Sequence, residues 1–178
     1  MNEPASHRTG PETQRLLHRA FTVEDAVVAF ELNSNPDVMR YTGDTSLKNV
    51  AEARRFIANY PDFERYGFGR WACVLKESQT VIGFCGLKYL RDLDVVDVGY
   101  RFLPQYWGQG LATEACMASL DFGFSKLGLA RIFAFVIPAN VGSVRVLAKS
   151  GMQVDSEFDC DGIATHRYVK HRPTSAHS

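Results

Sequence analysis

Gly108-Gln109-Gly110 stands where an apolar run gives way to a long helical pattern, inside the segment Gln105-Tyr106-Trp107-Gly108-Gln109-Gly110-Leu111-Ala112. The first backbone N–H groups of a helix have no intrahelical acceptor and point outward beside the positive end of the helix dipole. Glycines let an anion approach that backbone closely, so the junction suits a phosphate or pyrophosphate. A turn that needs glycine for its shape explains the same residues equally well. Two phosphate-binding patterns are set aside. The P-loop needs Lys after its last glycine, and Gln109 and Leu111 follow here. The dinucleotide fingerprint needs Gly or Ala where Thr113 stands and an acid roughly 20 positions on. No Asp or Glu occurs between Asp121 and Asp155.

The elements that must position this segment are legible from hydrophobic periodicity. Leu16 to Ala20 reads as a first strand. Thr22-Val23-Glu24-Asp25 opens a helix with Thr22 as N-cap, ending at the Asn33-Ser34-Asn35-Pro36 breaker. Asn49 and Glu52 have capping-box spacing for a second helix from Val50 to about Tyr60, with Ala53, Phe56, Ile57 and Tyr60 as its buried stripe. Trp71 to Leu75, Thr80 to Lys88 and Val95 to Leu103 read as strands. Gly108 to Leu127 is a long helix, its stripe including Met117 and Leu120, that stops at Gly128. Arg131 to Ile137 is a strand, Asn140 to Lys149 a helix, and Met152 to Phe158 with His166 to Val169 a closing hairpin. This order describes a mixed α/β domain over residues 14–171 without the strict alternation of a doubly wound fold. Residues 1–13 are expected to form a flexible leader and 172–178 a flexible tail.

The bulk properties exclude several classes. The 178 residues are 46% hydrophobic with zero formal net charge, so the chain is globular and lacks the basic excess of a nucleic-acid binder. Met1 to Thr13 has no apolar signal stretch, and no run approaches the roughly 18 apolar residues of a membrane span. Cys73, Cys85, Cys116 and Cys160 are scattered without a CxxC pair, so buried thiols are expected, with neither disulfides nor a metal. A soluble cytoplasmic protein is the expectation.

Gln105, Gly108 and Gly110 match the coenzyme A signature Gln/Arg-x-x-Gly-x-Gly/Ala, and the chain resembles the GNAT superfamily of N-acetyltransferases. The similarity runs through Arg15-Leu16-Leu17, Asn35 to Tyr41, Ile82 to Leu87, Val98-Gly99-Tyr100, Trp107 to Ala115 and Asn140 to Met152, and is strongest to the ribosomal-protein-alanine N-acetyltransferase branch. The resemblance implies a mostly antiparallel sheet of six to seven strands, splayed between residues 95–103 and 131–137 and flanked by about four helices. It implies acetyl-CoA as co-substrate, no metal, and direct acetyl transfer to a primary amine on a protein N-terminus or a small molecule. A monomer or homodimer is expected, with no nucleic-acid or membrane partner. The alternative within the same fold is a CoA-binding regulatory domain with weak or no turnover.

Carried onto this sequence, the resemblance gives the backbone of Phe102 and Leu103 to the pantetheine and acetyl carbonyl. Gln105, Trp107, Gly108, Gln109, Gly110, Leu111, Ala112 and Thr113 form the pyrophosphate segment, and Asn140 and Ser143 line the far side of the coenzyme. Helix capping is the alternative role of Asn140. Many relatives place a tyrosine acid seven residues after that Asn, but Leu147 stands here, which makes Ser143 the candidate donor to the leaving thiolate. Asp97, Glu114 and a bound water are the candidates for the base. For the acceptor, Asp92, Asp94, Asp159 and Asp161 offer carboxylates to an ammonium, though acids are also ordinary turn residues. Tyr41, Tyr60, Phe63, Tyr66, Phe68 and Trp71 divide between core and pocket.

Overall fold

Alternation and capping place the elements in the order given by the sequence, with three additions. The computed structural model describes residues 6–160 and 162–174, with Cys160 represented by its backbone. The strands are β1 (Thr9–Glu12), β2 (Leu16–Arg19), β3 (Arg70–Leu75), β4 (Thr80–Leu90), β5 (Val95–Phe102), β6 (Arg131–Val136), β7 (Gln153–Cys160) and β8 (Ile163–His171). The helices are α1 (Ala26–Leu32), α2 (Pro36–Met39), α3 (Val50–Ala58), α4 (Asp62–Tyr66), α5 (Leu111–Ser125) and α6 (Val141–Lys149). They make a mixed α/β fold with one sheet of order β1-β2-β3-β4-β5-β6-β8-β7. Every neighbouring pair is antiparallel except β5 and β6.

The eighth strand is β1, where a flexible leader was expected. Residues 9–12 pair with β2 and lie against Trp71, whose Nε1 donates to the His7 carbonyl at 2.8 Å. Gly10 permits that approach, because a Cβ there would come within 2.6 Å of the Trp71 ring and 2.9 Å of the His18 Cβ. His18 is buried beneath the turn, its Nδ1 donating to the Pro11 carbonyl at 2.7 Å, and burial lowers its pKa below the usual 6.5. Two short helices were also missed. Asn35-Pro36 starts α2 where a breaker was expected, since Asn35 accepts from the Asp37 N–H and Pro36 occupies the first turn. Pro61 precedes α4, which ends at Gly67 with φ +80°.

Both faces of the sheet are covered. Val98 and Phe102 of β5 pack with Leu111, Ala115, Leu120 and Phe124 of α5 and Leu147 of α6 into the main core. On the other face Ala72, Val74 and Val81 meet Val28 of α1, and Ala26 and Ala29 of α1 meet Ala53 of α3. Cys73, Cys85 and Cys116 are buried free thiols. Met117, expected in the α5 stripe, is exposed because α5 buries only the side that touches the sheet. Among the described residues no helix is long and apolar enough to cross a membrane, and no group of three or more metal-ligating side chains gathers.

Removing residues 1–12 strips β1 from Trp71. The expected outcome is a loss of about 2–3 kcal/mol, seen as a Tm lower by roughly 5–10 °C, with red-shifted indole emission. An unchanged Tm and emission spectrum would show that β1 does not contribute to stability.

Candidate functional site

The site begins where two strands part. β5 and β6 are in register only at Asp97↔Phe133, so β5 loses its neighbour on that side beyond Asp97. The Leu103 N–H donates to the Ile82 carbonyl at 3.0 Å, in register with Gly83↔Phe102 and the pairs that follow. Backbone groups alternate in direction along an antiparallel strand. Those of Asp97, Gly99, Arg101 and Leu103 therefore face β4, and those of Val98, Tyr100 and Phe102 face the gap. This corrects one expectation: the Leu103 N–H is used within the sheet, and the open edge belongs to Tyr100 and Phe102. The Phe102 carbonyl accepts from the Trp107 Nε1 at 2.7 Å, which fixes the half-exposed indole.

At the end of that edge lies the glycine segment. Gly108 and Gly110 have φ of +74° and +78°, where a side chain would strain the backbone. From Gly108 to Thr113 no backbone N–H donates to another described residue, while the Gly110 carbonyl already accepts from Glu114. Gln109 Nε2 donates to the Gln105 carbonyl at 3.0 Å, closing the turn before α5. Leu111 is buried, anchoring the first turn of the helix.

Glu114 holds this segment in place. Its carboxylate accepts from the Thr13 hydroxyl at 2.7 Å, the Arg15 N–H at 2.9 Å and the Arg15 Nε at 2.7 Å. Arg15 Nη1 also donates to the Gln109 carbonyl at 2.9 Å, so the β1–β2 turn is tied to the glycine segment through one ion pair. Partial burial alone would raise the Glu114 pKa, but these hydrogen bonds outweigh it and bring the pKa below the usual 4.5. A carboxylate so committed, and absent from the cavity described below, is a poor base.

Asp97 is likewise committed. Its two oxygens accept from Arg70 Nη2 at 2.9 and 3.1 Å, and the paired side chains are only 17% and 13% exposed for Arg70 and Asp97. Gly99, directly opposite Gly86 across β4 and β5, makes room for the guanidinium. A Cβ on Gly99 would lie 2.6 Å from Arg70 Nη2. This explains the glycine of the Val98-Gly99-Tyr100 landmark, and it turns the expected base into half of a buried ion pair.

The far wall is α6. Asn140 accepts from the Ser143 N–H at 3.2 Å, so its capping role is realised. Leu147 is 2% exposed and belongs to the core. Tyr100, which sequence reasoning passed over as part of a landmark, donates from its phenol to the Ser143 carbonyl at 3.2 Å. Burial pushes the Tyr100 phenol well above the usual tyrosine range, so it remains protonated. The Ser143 hydroxyl itself has no hydrogen-bond partner among the described residues. The one available signal for Tyr100 was strand alternation, which sets it on the opposite face from Asp97 and toward α6.

Asn140, Ser143, Leu147 and Tyr100 share a cavity of about 920 Å³ with Arg70, Asp97 and the inner sides of α1 and α3. Tyr41, Tyr60 and Phe63 line it, whereas Tyr66, Phe68 and Trp71 do not. Phe56, expected in the core, is 56% exposed and belongs to the cavity rim. The expected acidic cluster does not gather there. Asp94 accepts from the Tyr89 phenol, Asp159 accepts from the Gly162 N–H in its turn, and Asp161 lies outside the described residues. Asp92 does not line the cavity either.

Two substitutions test these assignments. Gly99→Ala is expected to cost about 1–3 kcal/mol in thermal unfolding, because the buried guanidinium cannot retreat without losing Asp97. Glu114→Gln is expected to cost about 1 kcal/mol, a figure kept low because Arg15 is substantially exposed. The Glu114 pKa is depressed on folding, so its contribution is full above about pH 4.5 and fades as pH falls through the lower folded value. A wild-type-minus-variant stability difference that stayed constant down to pH 2 would contradict the brace.

Residues 15–153 match the family described as Acetyltransferase (GNAT) domain. An uncharacterized N-acetyltransferase, p20, from Bacillus licheniformis is 34% identical over 143 residues, covering 79% of this chain and 80% of that protein. The crystal structure of a GNAT-family acetyltransferase from Bacillus anthracis superposes with a TM-score of 0.78 at 26% identity, covering 90% of this chain and 97% of that one. A ribosomal-protein-S5-alanine acetyltransferase from Vibrio fischeri shares the fold, with a TM-score of 0.77 at 19% identity over 91% of this chain and 96% of its own. With most of its length matched in sequence and its parted strands and glycine turn in place, the chain belongs to the GNAT family of acetyltransferases.

Proposed function

We propose that the protein moves an acetyl group from acetyl-CoA directly to a primary amine on a small molecule or a protein N-terminus. The observation that carries this reading is the continuity of unsatisfied backbone along one path. The open edge of Tyr100 and Phe102 leads from the N–H groups of Gly108 to Thr113 to the wall formed by Asn140 and Ser143. An anion with an amide-bearing arm fits that donor set: the helix N-terminus takes the phosphates and the strand edge takes the amides. When bound, acetyl-CoA supplies an activated thioester.

The chain's own residues then have separate tasks. Gln105 and Trp107 shape the turn, and Gly108, Gln109, Gly110, Leu111, Ala112 and Thr113 present N–H groups to the pyrophosphate. Of the two residues given this role by resemblance, Phe102 and Leu103, the Phe102 N–H takes it, steadying charge on the acetyl oxygen. The Ser143 hydroxyl donates a proton to the departing sulfur. Tyr100 positions Ser143 by holding the first turn of α6 through its carbonyl. With Asp97 and Glu114 both held by arginines, water accepts the proton from the attacking amine.

The buried Leu147 favours one competing reading, a CoA-binding domain without turnover. Release of free thiol from acetyl-CoA across a panel of amines separates the two, because a binding domain yields none. Ser143→Ala is expected to lower kcat by roughly 10- to 100-fold with CoA affinity retained. Tyr100→Phe is expected to lower kcat by a smaller factor, again without weakening CoA. Unchanged turnover in Ser143→Ala would remove the hydroxyl from the mechanism.

A further inference from the structure

Pairing register defines the cavity floor. Phe84↔Arg101, Gly86↔Gly99 and Lys88↔Asp97 are directly opposite on β4 and β5, and Arg70↔Gly86 joins β3 to them. Residues opposite one another across a ladder share a face, so Arg70, Lys88, Asp97 and Arg101 project from the same side of the sheet. That side faces α1 and α3, where Phe21, Ile57 and Tyr60 supply apolar walls. The acceptor half of the site is therefore an apolar cleft with a charged floor.

The charge balance of that cleft is uneven. Its described lining carries four cations, Arg8, Arg70, Lys88 and Arg101, against two carboxylates, Asp44 and Asp97. Neither carboxylate is free to receive an ammonium. Asp97 is held by Arg70, and Asp44 by Arg101, which also donates to the Asn33 Oδ1 at 2.6 Å. Arg8 is balanced by Glu64, outside the cleft lining. Lys88 has no ionic partner among the described residues, although it stands across from Asp97. A diamine or polyamine entering this cleft would meet surplus positive charge, and the carboxylates it could approach are already paired with guanidiniums. Freeing a carboxylate from a half-buried pair leaves its arginine uncompensated, which is costly.

On the acetyl-transfer reading above, we propose that the acceptor carries its own negative charge close to the reacting amine. It is an amino acid, or a peptide N-terminus with a neighbouring acidic side chain, whose carboxylate is bound by Lys88. The ammonium of such an acceptor needs no carboxylate from the protein, which is why the cleft offers none. The aromatic and aliphatic walls take the carbon skeleton of the acceptor and leave its charge to the floor.

The test uses matched acceptors with the intact protein and acetyl-CoA, following thiol release. Glutamate is compared with its fully amidated form, a peptide beginning Ser-Asp with one beginning Ser-Lys, and both pairs with spermidine. The carboxylate-bearing member of each pair is expected to show kcat/KM roughly tenfold higher, mainly through KM. Lys88→Gln, an exposed position in the strand, is expected to erase the difference, and Lys88→Arg to restore it. The amino-acid and peptide arms identify which source of carboxylate the cleft prefers. Equal use of the two members of each pair, or preference for spermidine, overturns the proposal while leaving acetyl transfer intact. Calorimetric titration of glutamate and its amide onto the CoA-loaded protein reads the same preference without turnover, and equal affinities overturn it there. Absence of thiol release from every acceptor overturns the acetyl-transfer reading itself.

Discussion

The ion pair between Arg70 and Asp97 sits at the point on which the rest of the site depends. Asp97 is the β5 residue in register with β6, and beyond it the two strands part. A strand leaving its neighbour gives up ladder hydrogen bonds, and the exposed edge must be stabilised by something else. Arg70 supplies part of that support, clamping the Asp97 carboxylate from β3 across the glycine pair of β4 and β5. One guanidinium thus ties three strands together at the root of the gap. The backbone beyond the root turns its groups to the gap, where the Phe102 carbonyl takes the Trp107 indole N–H and the Tyr100 and Phe102 N–H groups stay open. These groups are the chemistry of the site, and their availability is a consequence of where the sheet stops pairing.

A second ion pair does comparable work at the other end of the open edge. The glycine segment has two residues with positive φ and a run of N–H groups with no described acceptor, a combination that gains nothing from internal bonding. Arg15 and Glu114 compensate from outside by tying the β1–β2 turn to the Gln109 carbonyl and the first turns of α5. The N-terminal strands therefore belong to the functional architecture. Both carboxylates that sequence reasoning offered as bases are thus paired with arginines beside the open backbone.

How much of this was legible in the sequence follows from the range of each interaction. Helix caps and strand alternation are local, so the Asn49 cap of α3, the Asn140 cap of α6 and the bounds of β3 to β6 emerged within a residue or two. The glycine turn was legible because positive φ and a helix start leave a chemical signature over three residues. What failed was long-range. Arg15 and Glu114 are 99 positions apart, and Arg70 and Asp97 are 27 apart, so each acid looked free when read alone. β1 escaped notice because much of its support comes from far along the chain, from the Trp71 ring and from Lys76, which pairs with Glu12. Phe56 matched a helical stripe, but the stripe faces a cavity, and periodicity cannot distinguish a cavity from a core.

The same reasoning bears on the leucine that replaces the expected tyrosine. Leu147 fills core volume against the sheet, so the position has been given over to packing. A protonated phenol nevertheless reaches the first turn of α6, because alternation along β5 directs Tyr100 there from the strand side. Its hydroxyl is spent on the Ser143 carbonyl, and the Ser143 hydroxyl is left open toward the gap. On the proposed mechanism, a long side chain delivering a proton from α6 is thereby exchanged for a short one on α6, held in place from the opposite strand. The exchange fits a cleft whose charged groups, Lys88 apart, are paired. Arginines hold its acids, the sheet holds the Leu103 N–H, and the open backbone groups lie along the one line where two strands part.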